Sequence, residues 1–128
     1  MKPRIPKGLS RPSPKVRPGM SESHLANVRK LPCVLCGIEG ITQPHHLLRT
    51  GDPTQRGTGR KAEDKHAIPL CVHHHTALHA KGDEEAFLME TYGVDGRALA
   101  ASLWAERGNL PGMERVEFNF RQRARRAA

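Results

Sequence analysis

The C-terminal half of the chain carries apolar residues at helical spacing. Residues 84–92 and residues 97–107 each place aromatic and leucine side chains three or four positions apart, on one face. A Gly-Val-Asp-Gly stretch separates the two segments. The positions concerned are Phe87, Leu88, Tyr92, Leu99, Leu103 and Trp104. We therefore predict two amphipathic helices that pack on the rest of the domain and supply its core.

The segment before this half begins with a short predicted helix. Residues 21–30 suit a helix with Ser21 or Ser23 as its cap, and Pro32 stops it. Residues 33–37, with the sequence Cys-Val-Leu-Cys-Gly, suit a tight turn of the zinc-knuckle kind. The chain therefore leaves its first helix directly into a candidate metal-binding turn.

Two short strands and a helix are predicted next. Residues 38–48 suit a strand or the first arm of a hairpin, and residues 65–70 suit a second strand. Residues 49–64 between them are rich in Gly, Pro and Asp and form a loop. A helix follows from residue 72 or 73 to about residue 80, with Gly82 as its C-terminal glycine. This order predicts a small α+β domain.

Composition indicates that such a domain needs reinforcement. The 128 residues suffice for one domain, but only 37% are hydrophobic and 4% aromatic. Small domains of that kind are usually stabilised by a metal or by disulfides. The three cysteines cannot all pair, which favours a metal. The sequence has no apolar run of membrane-spanning length and no signal-peptide core, so we expect a soluble intracellular protein, cytoplasmic in a bacterial host, without a membrane partner.

Charge divides the chain into three parts. The net charge of +8 favours a polyanionic partner, first of all nucleic acid, although anionic lipid would also attract it. Residues 1–20 hold six Lys and Arg, five prolines and no acid, and we predict a flexible basic arm. Residues 111–128 form a second basic, loosely ordered tail, and residues 21–110 form the domain. Phosphate contact is the expected use of both ends.

Candidate chemistry is concentrated in one stretch, because seven of the eight histidines lie between residues 45 and 79. Two metal sites explain this better than one. The first pairs Cys33-x-x-Cys36 with Cys71-x-x-His74, the four tetrahedral ligands of a structural zinc. His73 competes with His74 for the fourth place. A redox Cys-x-x-Cys pair is the alternative, and it would make the third cysteine and the histidine coincidental.

The second site is a candidate catalytic one. His75 and His79 are four residues apart and share one helical face, so both can hold one ion. Adjacent His45 and His46 on a strand point to opposite sides. One of them can complete the metal site while the other takes a proton from water, and on spacing alone their roles could be exchanged.

With these residues the segment 33–79 resembles the HNH endonuclease family, in its His-His variant found in small phage and prophage nucleases. The resemblance implies that His45 binds the metal, that His46 is the general base and that His75 and His79 are metal ligands. His66 stands where the family has an asparagine that orients the hairpin loop, which is a departure from its pattern. The cysteines match the zinc knuckles that flank many members.

The resemblance implies a zinc-reinforced ββα-metal fold and a metal-dependent DNA endonuclease or nickase. Its catalytic ion would be Mg²⁺, Mn²⁺, Ni²⁺ or Zn²⁺, and no small-molecule ligand is expected. Similarity to recombination-linked prophage members suggests a recombinase–DNA filament as a further partner. The residues expected to contact phosphate are Arg49, Arg56, Arg60, Lys61 and Lys65.

Two other functions compete with a nuclease. The chain could be a non-catalytic zinc module that binds nucleic acid, with the second histidine group serving only the structure. A Cys-x-x-Cys redox protein would instead show a titratable disulfide and no bound zinc. Loss of nicking on replacement of His46 distinguishes a nuclease from the non-catalytic zinc module. Elemental analysis of bound zinc distinguishes it from the redox protein.

Overall fold

A computed structural model describes residues 19–47 and 63–124 of the chain. The described part is a small α+β structure with two antiparallel strands and five α-helices. In chain order the elements are α1 (Glu22–Arg29), β1 (Thr42–His46), a 3-10 helix (Asp64–His66), β2 (Ala67–Cys71), α2 (Val72–His79), α3 (Glu84–Tyr92), α4 (Gly96–Ala105) and α5 (Leu110–Arg123).

The two strands pair in a register that accommodates a proline in each. Pro44 lies opposite Pro69, and His45 lies opposite Ile68. Beyond the strand ends, Leu47 N donates to the carbonyl of His66 at 3.1 Å. Because hydrogen-bonded pairs alternate with non-bonded pairs along an antiparallel ladder, this contact makes the proline pair a non-bonded one. The missing proline N–H groups therefore cost the ladder nothing.

Local capping sets the limits of the helices. The Ser21 hydroxyl accepts from the N–H of His24 at 3.1 Å at the start of α1. Asp83 caps α3 in the same way, by accepting from the N–H of Ala86 at 3.1 Å. Gly93 ends α3 at φ +70°, a left-handed conformation that glycine adopts without strain. The predicted bounds of α3 are those observed.

One apolar cluster holds these elements together. Its members come from α1, the 33–35 turn, both strand ends and α2 to α5, and they include Val28, Leu31, Leu47, Ile68, Leu70, Leu78, Leu88, Leu99, Leu103 and Met113. The helices after residue 83 thus supply much of the core, as the sequence predicted. In the described residues, no helix is both long and apolar enough to cross a membrane.

The structure corrects three predictions made from the sequence. Residues 111–123, predicted as part of a loose tail, belong to α5, the longest helix among the described residues; Met113 is buried in the core, and Glu117 is paired with Arg121. The second helix ends at His79 with Ala80 as its cap, two residues before Gly82. β1 is shorter than the predicted range of residues 38–48. β2 begins two residues later than the predicted range of residues 65–70, because the 3-10 helix occupies the start of that range. Residues 1–18, 48–62 and 125–128, with most of the predicted arm and Arg49, Arg56, Arg60 and Lys61, lie outside the described residues.

Candidate metal centres

Three cysteines and one histidine meet where the first turn approaches the end of β2. The turn begins at Cys33 and is closed by a hydrogen bond from the N–H of Gly37 to the Cys33 carbonyl, at 2.7 Å. Gly37 has a φ of +78°. Val34 N donates to the carbonyl of Pro69 at 3.0 Å and joins the turn to β2. Cys71 ends that strand and is also the N-cap residue of α2. His74, one turn into α2, faces the same point.

The distances within this group fit a tetrahedral metal site. Its four ligand atoms all lie within 4.8 Å of one another. Cys36 Sγ is 3.9 Å from Cys71 Sγ, while His74 Nδ1 is 3.5 Å from Cys33 Sγ and 3.3 Å from Cys71 Sγ. Tetrahedral zinc with its usual bond lengths would separate two sulfurs by about 3.8 Å and sulfur from nitrogen by about 3.6 Å. All three cysteines are free of disulfides.

The protein environment acts differently on the ionisation of these cysteines and of the histidine. Burial raises the pKa of Cys33 to about 12, so this thiol stays protonated at neutral pH without a nearby positive charge. Burial acts the same way on Cys71, yet the backbone N–H groups of His74 and His73 hold the pKa of its thiol below the usual value. Burial lowers the pKa of His74, which keeps the imidazole neutral. These residues are positioned to bind a metal ion, and thiolate with imidazole is the donor set that zinc prefers.

A second group, of histidines only, is formed by His45 on β1 and by His75 and His79 on α2. His45, His75 and His79 each offer a ring nitrogen within 4.8 Å of the others, and their ring centroids are 4.5 to 4.8 Å apart. His45 is fully buried, whereas the His79 side chain is 52% exposed, so the group opens to solvent at His79. Solvent can therefore reach an ion held by these histidines, as a catalytic metal site requires. The adjacent residues His74 and His75 belong to different groups.

A buried carboxylate supports the histidine group from α3. Glu84 Oε1 is 3.0 Å from His45 Nε2, and Glu84 Oε2 is 3.9 Å from His79 Nδ1. A carboxylate accepts hydrogen bonds, so Nε2 of His45 carries the proton and Nδ1 keeps its lone pair. That Nδ1 lies 3.0 Å from Nδ1 of His75, close to the separation of about 3.3 Å expected for two imidazoles on one tetrahedral ion. Burial and the neighbouring rings of His45 and His79 lower the pKa of His75.

His46 points to the other side of β1 and contacts a carboxylate of its own. Its Nε2 is 2.9 Å from Oδ1 of Asp64, on the 3-10 helix. The other oxygen of Asp64 accepts from the N–H of Ser21 at 2.7 Å, which holds the buried carboxylate in place. The His46 side chain is 31% exposed, and a positive charge on its ring would be the smallest of the influences on the pKa of His75, which it would lower. A half-open imidazole thus lies within electrostatic reach of the histidine group.

Two further predicted residues lie on the 3-10 helix, outside both groups. His66 accepts the N–H of Leu47 with its backbone carbonyl, so its main chain fixes the end of the hairpin. Lys65 Nζ is 3.3 Å from Glu63 Oε1 and its side chain is 37% exposed. The role of the His66 ring in orienting the loop, and the contact of Lys65 with phosphate, stay predictions.

Asp64 and Glu84 are the residues of this region that sequence reasoning missed. Asp64 was assigned to a loop, and Glu84 follows a capping aspartate at a helix start, where an acidic residue has an ordinary explanation. The signal that marks them is burial, 4% and 2% exposed, next to a histidine. Neither burial nor partner can be read from the sequence, because the histidines are 18 and 39 residues away.

Comparison with known proteins gives a family but no activity. Residues 7–103, which contain both metal-binding groups, match the family described as "Protein of unknown function (DUF968)", and the chain belongs to this family. It is 41% identical over 66 residues to the "Uncharacterized protein YdfU" of Escherichia coli (strain K12). That alignment covers 52% of the chain and 18% of the relative, so the chain spans less than a fifth of that protein's length. No solved structure matches the chain.

Proposed function

We propose that this member of the DUF968 family is a metal-dependent nuclease of the HNH type that hydrolyses phosphodiester bonds in DNA. The observation that carries the proposal is the pairing of an open three-histidine group with a separate His46–Asp64 pair on the adjacent residue of β1. A purely structural site does not need a second, carboxylate-bound histidine beside it. Hydrolysis needs both a metal ion and a base.

The chain's own residues divide the work as follows. His45, His75 and His79 would hold a divalent ion, and Glu84 orients the His45 ring behind it. The bound ion supplies positive charge that stabilises the phosphate as negative charge builds on it. Cys33, Cys36, Cys71 and His74 would hold a structural zinc, which fixes the start of α2 and with it the two histidines that follow.

His46 is proposed as the general base. Asp64 accepts from Nε2 of His46, so the lone pair remains on Nδ1. This nitrogen takes a proton from water as the water oxygen bonds to phosphorus and the ester P–O bond breaks. The leaving oxygen takes its proton from solvent. Asp64 contacts neither water nor phosphate in this scheme; it positions the imidazole and stabilises its charged form.

Several features support DNA as the substrate. The formal charge of +8 favours a polyanion, and the predicted phosphate-contacting residues follow β1 directly in the sequence. DNA rather than RNA, a bacterial cytoplasmic location, a prophage origin and a recombinase–DNA filament as partner rest on the resemblance to HNH nucleases. They remain proposals.

The test is conversion of supercoiled plasmid to nicked or linear DNA with Mg²⁺ or Mn²⁺, for the wild type, His46→Ala and His73→Ala. His73 is exposed on α2 and belongs to neither group, so its replacement is a matched control. The proposal expects nicking by the wild type and His73→Ala, and its loss in His46→Ala with metal content unchanged. Equal residual activity in all three, or none in the wild type, would favour a non-catalytic nucleic-acid-binding module.

A further inference from the structure

A cleft of about 150 Å³ lies between α4 and the 3-10 helix, which also carries Asp64, the partner of His46. Its lining residues are Lys65, His66, Arg97, Ala101 and Trp104. The volume is small next to the 300–1,000 Å³ typical of pockets for drug-sized ligands. The cleft therefore has room for a single ring system rather than for a larger cofactor.

The spacing of residues on α4 explains why the cleft exists. Arg97, Ala101 and Trp104 are four and three positions apart and share the face of α4 turned towards the 3-10 helix. Ala101 is small and exposed between two large side chains, which leaves the gap. Arg97 and Trp104 stand about 10 Å apart along the helix axis, at opposite ends of the cleft.

Two cationic side chains line the cleft, and each could contact a phosphate. Arg97 Nε is 3.6 Å from Glu85 Oε1. Lys65 is likewise paired with Glu63 at 3.3 Å. The Arg97 and Lys65 side chains are 52% and 37% exposed, so a phosphate oxygen can reach either cation from solvent while its carboxylate partner stays in place.

One end of the cleft carries an aromatic ring held in a fixed orientation. The guanidinium of Arg107 lies over the Trp104 ring, 4.5 Å from its centroid. The rings of Trp104 and the buried His24 are nearly perpendicular, with centroids 5.0 Å apart. An aromatic side chain that is already immobilised loses little entropy when a base stacks on it. Base–aromatic stacking contributes about 1–3 kcal/mol per base.

We infer that this cleft binds one unpaired nucleotide of the DNA strand, with its base against Trp104 and its phosphate at Arg97 and Lys65. The inference rests on the proposed function and names its substrate class, a strand that is single-stranded or locally unpaired near the cut. A paired base stays within the duplex stack and cannot enter a narrow cleft. The 3-10 helix that forms one wall also carries Asp64, so the cleft is built on the same element that positions the proposed base.

Trp104 is the only tryptophan of the chain, so its fluorescence reports on the cleft directly. The full-length, zinc-loaded protein is titrated with a single-stranded oligonucleotide and with the same sequence as a duplex, without added Mg²⁺. We expect quenching by the single strand at concentrations at least about tenfold below those needed for the duplex. Equal quenching by the single strand and the duplex at the same concentration would overturn the inference. Oligonucleotide binding that is detected by anisotropy but leaves the Trp104 fluorescence unchanged would also overturn it.

Two leucine substitutions on α4 separate the cleft from the rest of the surface. Ala101→Leu fills the gap, while Ala105→Leu adds the same bulk at an exposed position outside it. We expect Ala101→Leu to weaken single-strand binding about tenfold or more and Ala105→Leu to leave it unchanged, with circular dichroism verifying both folds. Equal binding by the two variants would refute the cleft. Because binding is measured without cleavage, a protein that quenches but never nicks DNA refutes the nuclease and retains the cleft.

Discussion

The Nε2 atom of His46 lies 2.9 Å from Oδ1 of Asp64, a carboxylate that is 4% exposed and also held by the N–H of Ser21. This pair links β1 to the 3-10 helix across 18 residues of sequence. It fixes both the direction of the imidazole and the nitrogen that carries its proton. His46, to which the resemblance assigns the role of general base, thus has a carboxylate partner that can orient its ring.

Asp64→Asn is expected to lower kcat for nicking on the order of 100-fold with little change in KM, because a misdirected base fails in the chemical step and not in DNA binding. Glu63→Gln is the matched control, since Glu63 contacts Lys65 instead of His46. Steady-state kinetics on both variants, with metal content and melting temperature measured alongside, provide the test. An unchanged kcat in Asp64→Asn would remove Asp64 from the mechanism.

Glu84→Gln is expected to weaken binding of the second metal about 10- to 100-fold, because the neutral amide polarises His45 less than a carboxylate does. Its neighbour Glu85 pairs with Arg97, so Glu85→Gln changes the same charge without touching the histidine group. Titration calorimetry of Mn²⁺ or Ni²⁺ into the zinc-loaded proteins compares the two. If both variants bind the ion as the wild type does, Glu84 has no role in metal binding.

His74 and His73 make a discriminating pair for the structural site. His74→Ala removes a ligand atom 3.3 Å from Cys71 Sγ, whereas His73 is exposed and outside the group. We expect His74→Ala to lose zinc to a mild chelator and to lower the melting temperature sharply, since metal binding contributes folding free energy in small domains. His73→Ala should match the wild type. Zinc retention in His74→Ala together with loss in His73→Ala would reverse the assignment.

His24 should make the domain sensitive to acid. It is 1% exposed, neither ring nitrogen has a hydrogen-bonding partner among the described residues, and burial lowers its pKa from 6.5. The charges that face it are Asp64, which raises the pKa, and Arg107, which lowers it. Because the folded pKa is the lower one, the unfolded state binds more protons below about pH 6.5, and stability falls as pH drops from there towards the folded pKa.

The matching variant is His24→Leu. It should be at least as stable as the wild type at pH 7, since it removes two buried polar atoms without partners. Over the range below pH 6.5 its free energy of unfolding should fall less steeply than that of the wild type, by up to about 1.4 kcal/mol per pH unit. Urea denaturation of both proteins with zinc present measures the difference. Parallel pH profiles would show that His24 is already protonated, or partnered, in the folded state.

The sequence predicted those parts of the fold whose signals are local. Asp83 and Gly93 bracket α3 within the segment itself, and its bounds were predicted to the residue. The C-terminal helix was missed because its buried face includes Glu117 and Arg121, whose ion pair at 2.6 Å makes an inner surface look polar in the sequence. Strand alternation predicted that His45 and His46 face apart, and the resemblance to HNH nucleases implied that His45 joins the helix histidines. The structure brings these three rings together.

The central claim is that the three-histidine group holds the ion that drives hydrolysis. It is tested most directly by the rate of plasmid nicking as Mn²⁺ is titrated into the zinc-loaded wild type and the His75→Ala/His79→Ala double variant. We predict a rate that rises and saturates in the wild type and stays at the buffer background in the double variant, while both retain one zinc. The same rate in both proteins, or no nicking by the wild type at any metal concentration, would contradict the claim.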